Sequence, residues 1–192
     1  MTPVQPNSPM AELDPGQMLS QGQTQFFIPA TASLAERRPR TLKHGESFAV
    51  FDHSGDAIAG PGSPEGLYYR DTRHLSHLYL TINGLRPILL SSAVRDDNTM
   101  LTCDLTNPDF FDEDGRLAVE HDLIHLRRTR FLWRGAVYER VTVRNFDAKD
   151  RAIQIDVGFA ADFADLFEIR GMTRKHKGTV RAPEISQAQV RL

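Results

Sequence analysis

The chain has 192 residues and a formal net charge of −2, enough for one domain with a sizeable core and too balanced to point to nucleic acid or an anionic membrane surface as partner. Cys103 is its only cysteine, which excludes an intrachain disulfide and fits a reducing compartment such as the cytoplasm. No apolar run approaches the roughly 20 residues of a membrane-spanning helix, and Met1-Thr2-Pro3-Val4-Gln5-Pro6 lacks the basic-then-apolar pattern of a secretory leader, so neither is expected.

Residues 1–39 are rich in Pro, Gln, Ser, Thr and Ala, and their few apolar residues keep no period. That composition predicts a disordered tail, with Phe26-Phe27-Ile28 docking as an extended segment on the domain. From Leu42 onward the pattern is strand and turn. Ser47-Phe48-Ala49-Val50-Phe51 predicts a strand, His53-Ser54-Gly55-Asp56 a turn, and Ala57-Ile58-Ala59 an antiparallel return. Two prolines and two glycines make Gly60 to Pro64 a loop. Leu78-Tyr79-Leu80-Thr81-Ile82 runs into Asn83-Gly84, a strong hairpin signal, so Leu85 to Leu90 is expected to be the partner strand. Thr99 to Leu105 reads as a further strand.

The clearest alternation follows. Ile124, Leu126 and Leu132 share a parity, with Arg128 and Arg130 between them. Trp133 to Ala136 reads as a turn. Val137, Glu139, Val141 and Val143 then share one face, opposite Tyr138, Arg140, Thr142 and Arg144. After a turn over Asn145 to Asp150, Ile153, Ile155, Val157 and Phe159 share a face opposite Gln154, Asp156 and Gly158. Three long strands joined by short turns predict an antiparallel meander with one packed and one wetter face. No helical period runs through the chain. The expected architecture is an all-β antiparallel sandwich of two sheets over residues 40–178. Residues 179–192 read as a linker or as the start of a strand whose partner lies beyond the terminus.

Four chemistries bear on these elements. His121 and His125 are four apart after Glu120, but Asp122 stands where a zincin has its glutamate, and on a strand such residues lie about 13 Å apart. These histidines, like His74 and His77, read as surface or interface groups, and neither metal nor cofactor is expected. There is no Gly-x-Ser-x-Gly elbow, and Cys103 has no basic neighbour to activate it. Arg127-Arg128-Thr129-Arg130-Phe131-Leu132-Trp133-Arg134 mixes arginine with aromatics as single-strand binders do, yet a strand divides these arginines between two faces. The carboxylates Asp71, Glu139, Asp162, Asp165 and Glu168 are the candidates for paired acid and base work. Glu139, set among valines, is expected to pair with Arg128 or Arg130. Asp162, Asp165 and Glu168 fall on or beside a single helical turn, where holding a corner is the simpler role.

Several motifs together carry a resemblance. They are Glu65-Gly66-Leu67-Tyr68-Tyr69-Arg70-Asp71-Thr72-Arg73-His74-Leu75-Ser76, Asn83-Gly84 with Pro87, Glu139 to Asn145, and Asp162-Phe163-Ala164-Asp165-Leu166-Phe167-Glu168-Ile169-Arg170-Gly171. From about Leu42 to about Gly178 the chain resembles the N-terminal domain of bacterial amylo-α-1,6-glucosidase-type glycogen debranching enzymes. The resemblance implies a β-sandwich placed ahead of an (α/α)₆ barrel that carries the general acid and base. No helical-hairpin sequence is present here to supply a barrel, so no catalytic residue carries over. The positions that carry over are Asp71, Thr72, Arg73, Asp162, Phe163, Asp165, Glu168 and Arg170. They are expected to shape the edge facing a barrel, supplied in cis or separately encoded, and the rim of its substrate cleft. Arg73 and Arg170 are expected to grip carboxylates, and Phe163 and Phe167 to anchor an interface. The other reading is a stand-alone carbohydrate-binding sandwich that stacks α-glucan on Tyr68, Tyr69, Tyr79 or Trp133.

Overall fold

The computed structural model describes residues 39–192 apart from Pro61, Lys177 and Val180. The expected tail, except for Pro39, and its Phe26–Ile28 segment therefore lie outside the described residues. The strands, in chain order, are β1 (Arg40–His44), β2 (Ser47–Phe51), β3 (Ala57–Ile58), β4 (Gly66–Tyr69), β5 (Thr72–Leu75), β6 (His77–Ile82), β7 (Ile88–Val94) and β8 (Met100–Thr106). There follow β9 (Phe110–Phe111), β10 (Leu117–Val119), β11 (Ile124–Trp133), β12 (Ala136–Asn145), β13 (Ile155–Ala160), the single-turn helix α1 (Leu166–Ile169), β14 (Glu184–Ser186) and β15 (Gln189–Arg191). The fold is all-β and antiparallel. Its three main sheets run β1-β2-β4-β5, β12-β11-β8-β7 and β13-β6-β3, beside the small hairpins β9-β10 and β14-β15.

Turn chemistry sets the hairpins. Arg134 and Gly135 both take positive φ (49° and 79°), as do Arg70 and Asp71 (45° and 62°) and Asn83 and Gly84 (48° and 75°). A two-residue loop with both φ values positive matches the right-handed twist of its flanking strands. The β11–β12 hairpin then runs in unbroken register from Trp133↔Ala136 to Ile124↔Asn145.

Four expected pairings are corrected. Ala57 and Ile58 do not return onto β2; they pair with Leu78 and His77 of β6. Asn83-Gly84 does close a turn, with Ile82 and Leu85 exchanging both backbone bonds (2.8 and 3.0 Å), but the hairpin stops there. Arg86 turns away to Asp52 and Asp56 (2.7 and 2.8 Å), Pro87 has no N–H to extend a ladder, and the chain crosses to pair as β7 with β8. The predicted meander loses its third strand, because β13 pairs with β6 rather than β12. Asn83 steers it: its N–H donates to the Gln154 carbonyl and its Oδ1 accepts the Gln154 N–H, each at 2.8 Å. At the C-terminus, β15 finds its partner upstream, in β14.

One core serves all three sheets. Leu42, Ala49 and Phe51 meet Leu80 and Ile82, Leu101, Cys103 and Leu105, and Ile124, Leu126 and Leu132. Arg128 and Arg130 lie on the core face of β11 among them, each 1% exposed.

Candidate functional site

The two motifs with the most unusual chemistry are brought to one corner. Arg73, on β5, is buried and extends beneath the loop before β4. Its Nε and Nη2 grip Asp162 (3.1 and 2.5 Å to Oδ2), and its Nη1 donates to the carbonyls of Ser63 and Glu65 (3.1 and 3.2 Å). Backbone bonds repeat the link: Arg73 N–H donates to Ala164 O (2.8 Å), and Leu166 N–H donates to Asp71 O (3.1 Å). Thr72 forms a β-bridge with Asp165. Gly66 makes room for the arginine. Its φ is +139°, and a Cβ there would sit 2.5 Å from Leu75 O and 2.6 Å from Arg73 Cδ.

Asp165 starts the helical turn. It caps α1 by accepting from Phe167 N and Glu168 N (2.8 and 3.0 Å), while Glu168 Oε2 accepts from Asp165 N (3.1 Å), a complete capping box. Arg174 binds the outer oxygen of Asp165. Phe163 takes a positive φ of 50°, a costly conformation for an aromatic residue, and it holds the ring out against His74 (centroids 5.9 Å, edge to face). Phe163 and Phe167 are 41% and 54% exposed. Among the described residues Arg170 grips no carboxylate, contrary to expectation. It ends the turn through its backbone N–H to Leu166 O (3.2 Å) and borders a cleft of ≈ 580 Å³ with Phe48, Val50, Tyr68, Leu166 and Ile169.

Two of the corner's carboxylates have lowered pKa values. Burial pushes Asp162 up, but the Arg73 guanidinium and the Ala164 N–H outweigh it and keep its pKa below the usual range. The N–H groups at the start of α1, that of Glu168 first, together with Arg174, hold Asp165 down as well. A general acid for glycoside hydrolysis needs the opposite displacement, upward.

A profile of the N-terminal domain of (some) glycogen debranching enzymes matches residues 42–192. The chain belongs to that family. No curated protein and no solved structure matches it.

Elsewhere in this debranching-enzyme N-terminal domain, the residues singled out as sugar platforms separate. Tyr68 is corrected: it is 1% exposed, stacked on Phe48 at 4.4 Å, with its hydroxyl donating to Pro64 O (2.8 Å), so no ring face is offered. Tyr69 and Trp133 are 40% and 42% exposed. Tyr69, His74, Arg134 and Gly135 border one hollow, and the Arg134 guanidinium lies 5.8 Å from the Trp133 ring centre. His121 and His125 face different carboxylates, Asp109 (2.8 Å) and Asp104 (2.9 Å). Cys103 is buried, and burial pushes its thiol up. No helix among the described residues is long and apolar enough to cross a membrane.

The expected Glu139 pairing forms on both sides, with Arg128 Nε at 2.8 Å and Arg130 Nη2 at 3.2 Å. Sequence reading missed Asp56, which is 1% exposed and takes Arg128 Nη1 at 2.6 Å and Arg86 Nη2 at 2.8 Å. A second carboxylate was needed for two arginines on a core face, and that deficit was the available signal.

Proposed function

We propose that this domain is the non-catalytic N-terminal part of a glycogen-debranching-type α-1,6-glucosidase, acting in the cytoplasm, and that its corner packs against an (α/α)₆ barrel. The observation that carries the reading is the contrast within the corner. Its charges are spent internally, on Arg73–Asp162 and on the Asp165–Glu168 capping box, while Phe163 and Phe167 project outward from that rigid frame. Rigid exposed aromatics beside paired charges are the anatomy of an interface core, not of a bond-breaking centre. The Asp71–Arg73 turn fixes the angle at which those rings are presented, and the cleft bordered by Leu166, Ile169 and Arg170 receives side chains from the barrel.

The test is reconstitution. The purified chain alone is expected to release no glucose from a branched dextrin. Mixed with a separately produced barrel from a debranching enzyme, it is expected to co-elute with it on gel filtration, and Phe167→Asp is expected to abolish co-elution without lowering thermal stability. Glucose release by the chain alone overturns the non-catalytic assignment; a barrel that never co-elutes overturns the packing.

One observation favours a second reading, the carbohydrate-binding module. Tyr69 and Trp133 are both exposed, and Arg134 borders the hollow beside Tyr69 and lies 5.8 Å from the Trp133 ring centre, so aromatic surface and a guanidinium are offered together. Calorimetry with maltooligosaccharides decides it: heat that Trp133→Ala removes supports the module, and no heat at millimolar ligand dismisses it.

A further inference from the structure

The three main sheets have six edges, and five of them are guarded. β1 carries Arg40 and Lys43, and β12 carries Glu139, Arg140 and Arg144. β3 is two residues long. β7 is broken by a bulge between Leu89 and Ser91, and Arg40 Nη2 donates to its Ser92 carbonyl (3.1 Å). β5 is covered by the corner through Arg73 N–H and Ala164 O. Short strands, charges, bulges and covers are the devices that keep sheet edges from pairing. The sixth edge, β13, is six residues long, has no bulge and no cover among the described residues, and carries Asp156 as its only charge. Ile155-Asp156-Val157-Gly158-Phe159-Ala160 contains no Lys, Arg or Pro and pairs with β6 without a register shift.

The open side of β13 can be read from the ends of its ladder. Gln154 O accepts from Asn83 N, and Ala160 O accepts from Ser76 N, both toward β6 (2.8 Å each). Successive residues of an antiparallel strand alternate in the side to which they turn both N–H and C=O. Ile155, Val157 and Phe159 therefore turn theirs outward. Their side chains lie on the core side, opposite Ile82, Leu80 and Leu78. Yet they are 36%, 48% and 43% exposed, where Ile82 and Leu80 are 0%.

We propose that a second copy of this chain occupies this edge, antiparallel to β13, with the twofold axis at Val157. An outward ladder of N–H and C=O groups takes an extended strand, and β13 is complementary to itself. About Val157, Phe159 lies opposite the partner's Ile155, so apolar meets apolar. Asp156, the only charge on the strand, lies opposite the partner's Gly158. Tyr79 covers that glycine: a Cβ on Gly158 would be 2.3 Å from the ring Cζ and 2.5 Å from the hydroxyl. Asp156 of each copy thus meets a phenolic donor of the other, twice by symmetry. A twofold at Asp156 would oppose two carboxylates, and one at Gly158 would bring two Tyr79 rings together.

Sedimentation equilibrium on the full chain tests this. A species of twice the 21.6 kDa chain mass is expected, with association weakened about tenfold or more by Tyr79→Phe and lost in Val157→Lys. Mild oxidation of Val157→Cys is expected to give a cross-linked dimer, because directly opposed residues lie about 5.5 Å apart between Cα atoms, within disulfide range; Asp156→Cys is expected to give none. A chain that stays monomeric at every concentration reached, with no Val157→Cys cross-link, overturns the proposal, even if Val157→Lys fails to fold. No barrel enters any arm, so failure here leaves the proposed function standing.

Discussion

Arg73 and Asp162, 89 positions apart, meet as a fork on a carboxylate, with Arg73 7% and Asp162 36% exposed at the side chain. The pair is what makes one corner of two motifs. Arg73→Ala is expected to cost about 2–3 kcal/mol, below the roughly 3–5 of breaking a fully buried pair because water screens Asp162. Lysine is expected to rescue little, since it lacks the planar fork and the donors that Ser63 O and Glu65 O now accept. Urea denaturation of the two variants measures both effects.

Removing Glu139 leaves two buried guanidinium groups short of a counter-charge. Glu139→Gln is expected to cost about 3–5 kcal/mol, visible as a lowered denaturation midpoint. The second-site change Arg130→Met is expected to restore part of that loss, because Arg130 is 1% exposed and its Nε has no hydrogen-bond partner among the described residues.

Gly66→Ala acts on the corner without touching a charge. The added Cβ meets backbone Leu75 O and the stem of Arg73, at a φ of +139° that other residues rarely adopt. A loss well above the ~1 kcal/mol ordinary for glycine replacement is expected, with the Phe163 environment altered in near-ultraviolet dichroism.

Acid is expected to loosen the corner and the core network together. Asp162, Asp165 and Glu139 all have folded-state pKa values below their ordinary ones, 3.8 for the aspartates and 4.5 for the glutamate. A depressed carboxylate contributes stability that is complete above the unfolded value and drains away as pH falls through the folded one. The urea midpoint should therefore hold at neutral pH and fall on the acid side of those ordinary values. In Arg73→Ala the Asp162 share of that slope should shrink, the Ala164 N–H holding what remains.

Much of this was legible in the chain, and the gaps have a common cause. Alternation placed Glu139 among valines and so forecast its arginines. It also gave β13 the right faces. Parity says which way a side chain points, however, and not which strand lies alongside, so the move of β13 to β6 depended on Asn83, 71 positions from Gln154. Tyr68 and Tyr69 are chemically alike, and one of two adjacent strand residues had to face inward; the stacking partner Phe48 settled which. Asp56 sat inside a turn signal, where an aspartate needs no further explanation.

That aspartate has a mechanical meaning. Its carboxylate accepts the Leu80 N–H from β6 (3.2 Å), the Arg128 guanidinium from β11 and Arg86 from the crossing loop. Two sheets hang from one residue that water does not reach. Sliding one sheet against the other parts Asp56 from Arg128 and leaves each with a single counter-charge, Arg86 and Glu139, so a buried ion pair opposes relative motion of the layers. Whatever docks on its surface meets two layers keyed to one buried carboxylate.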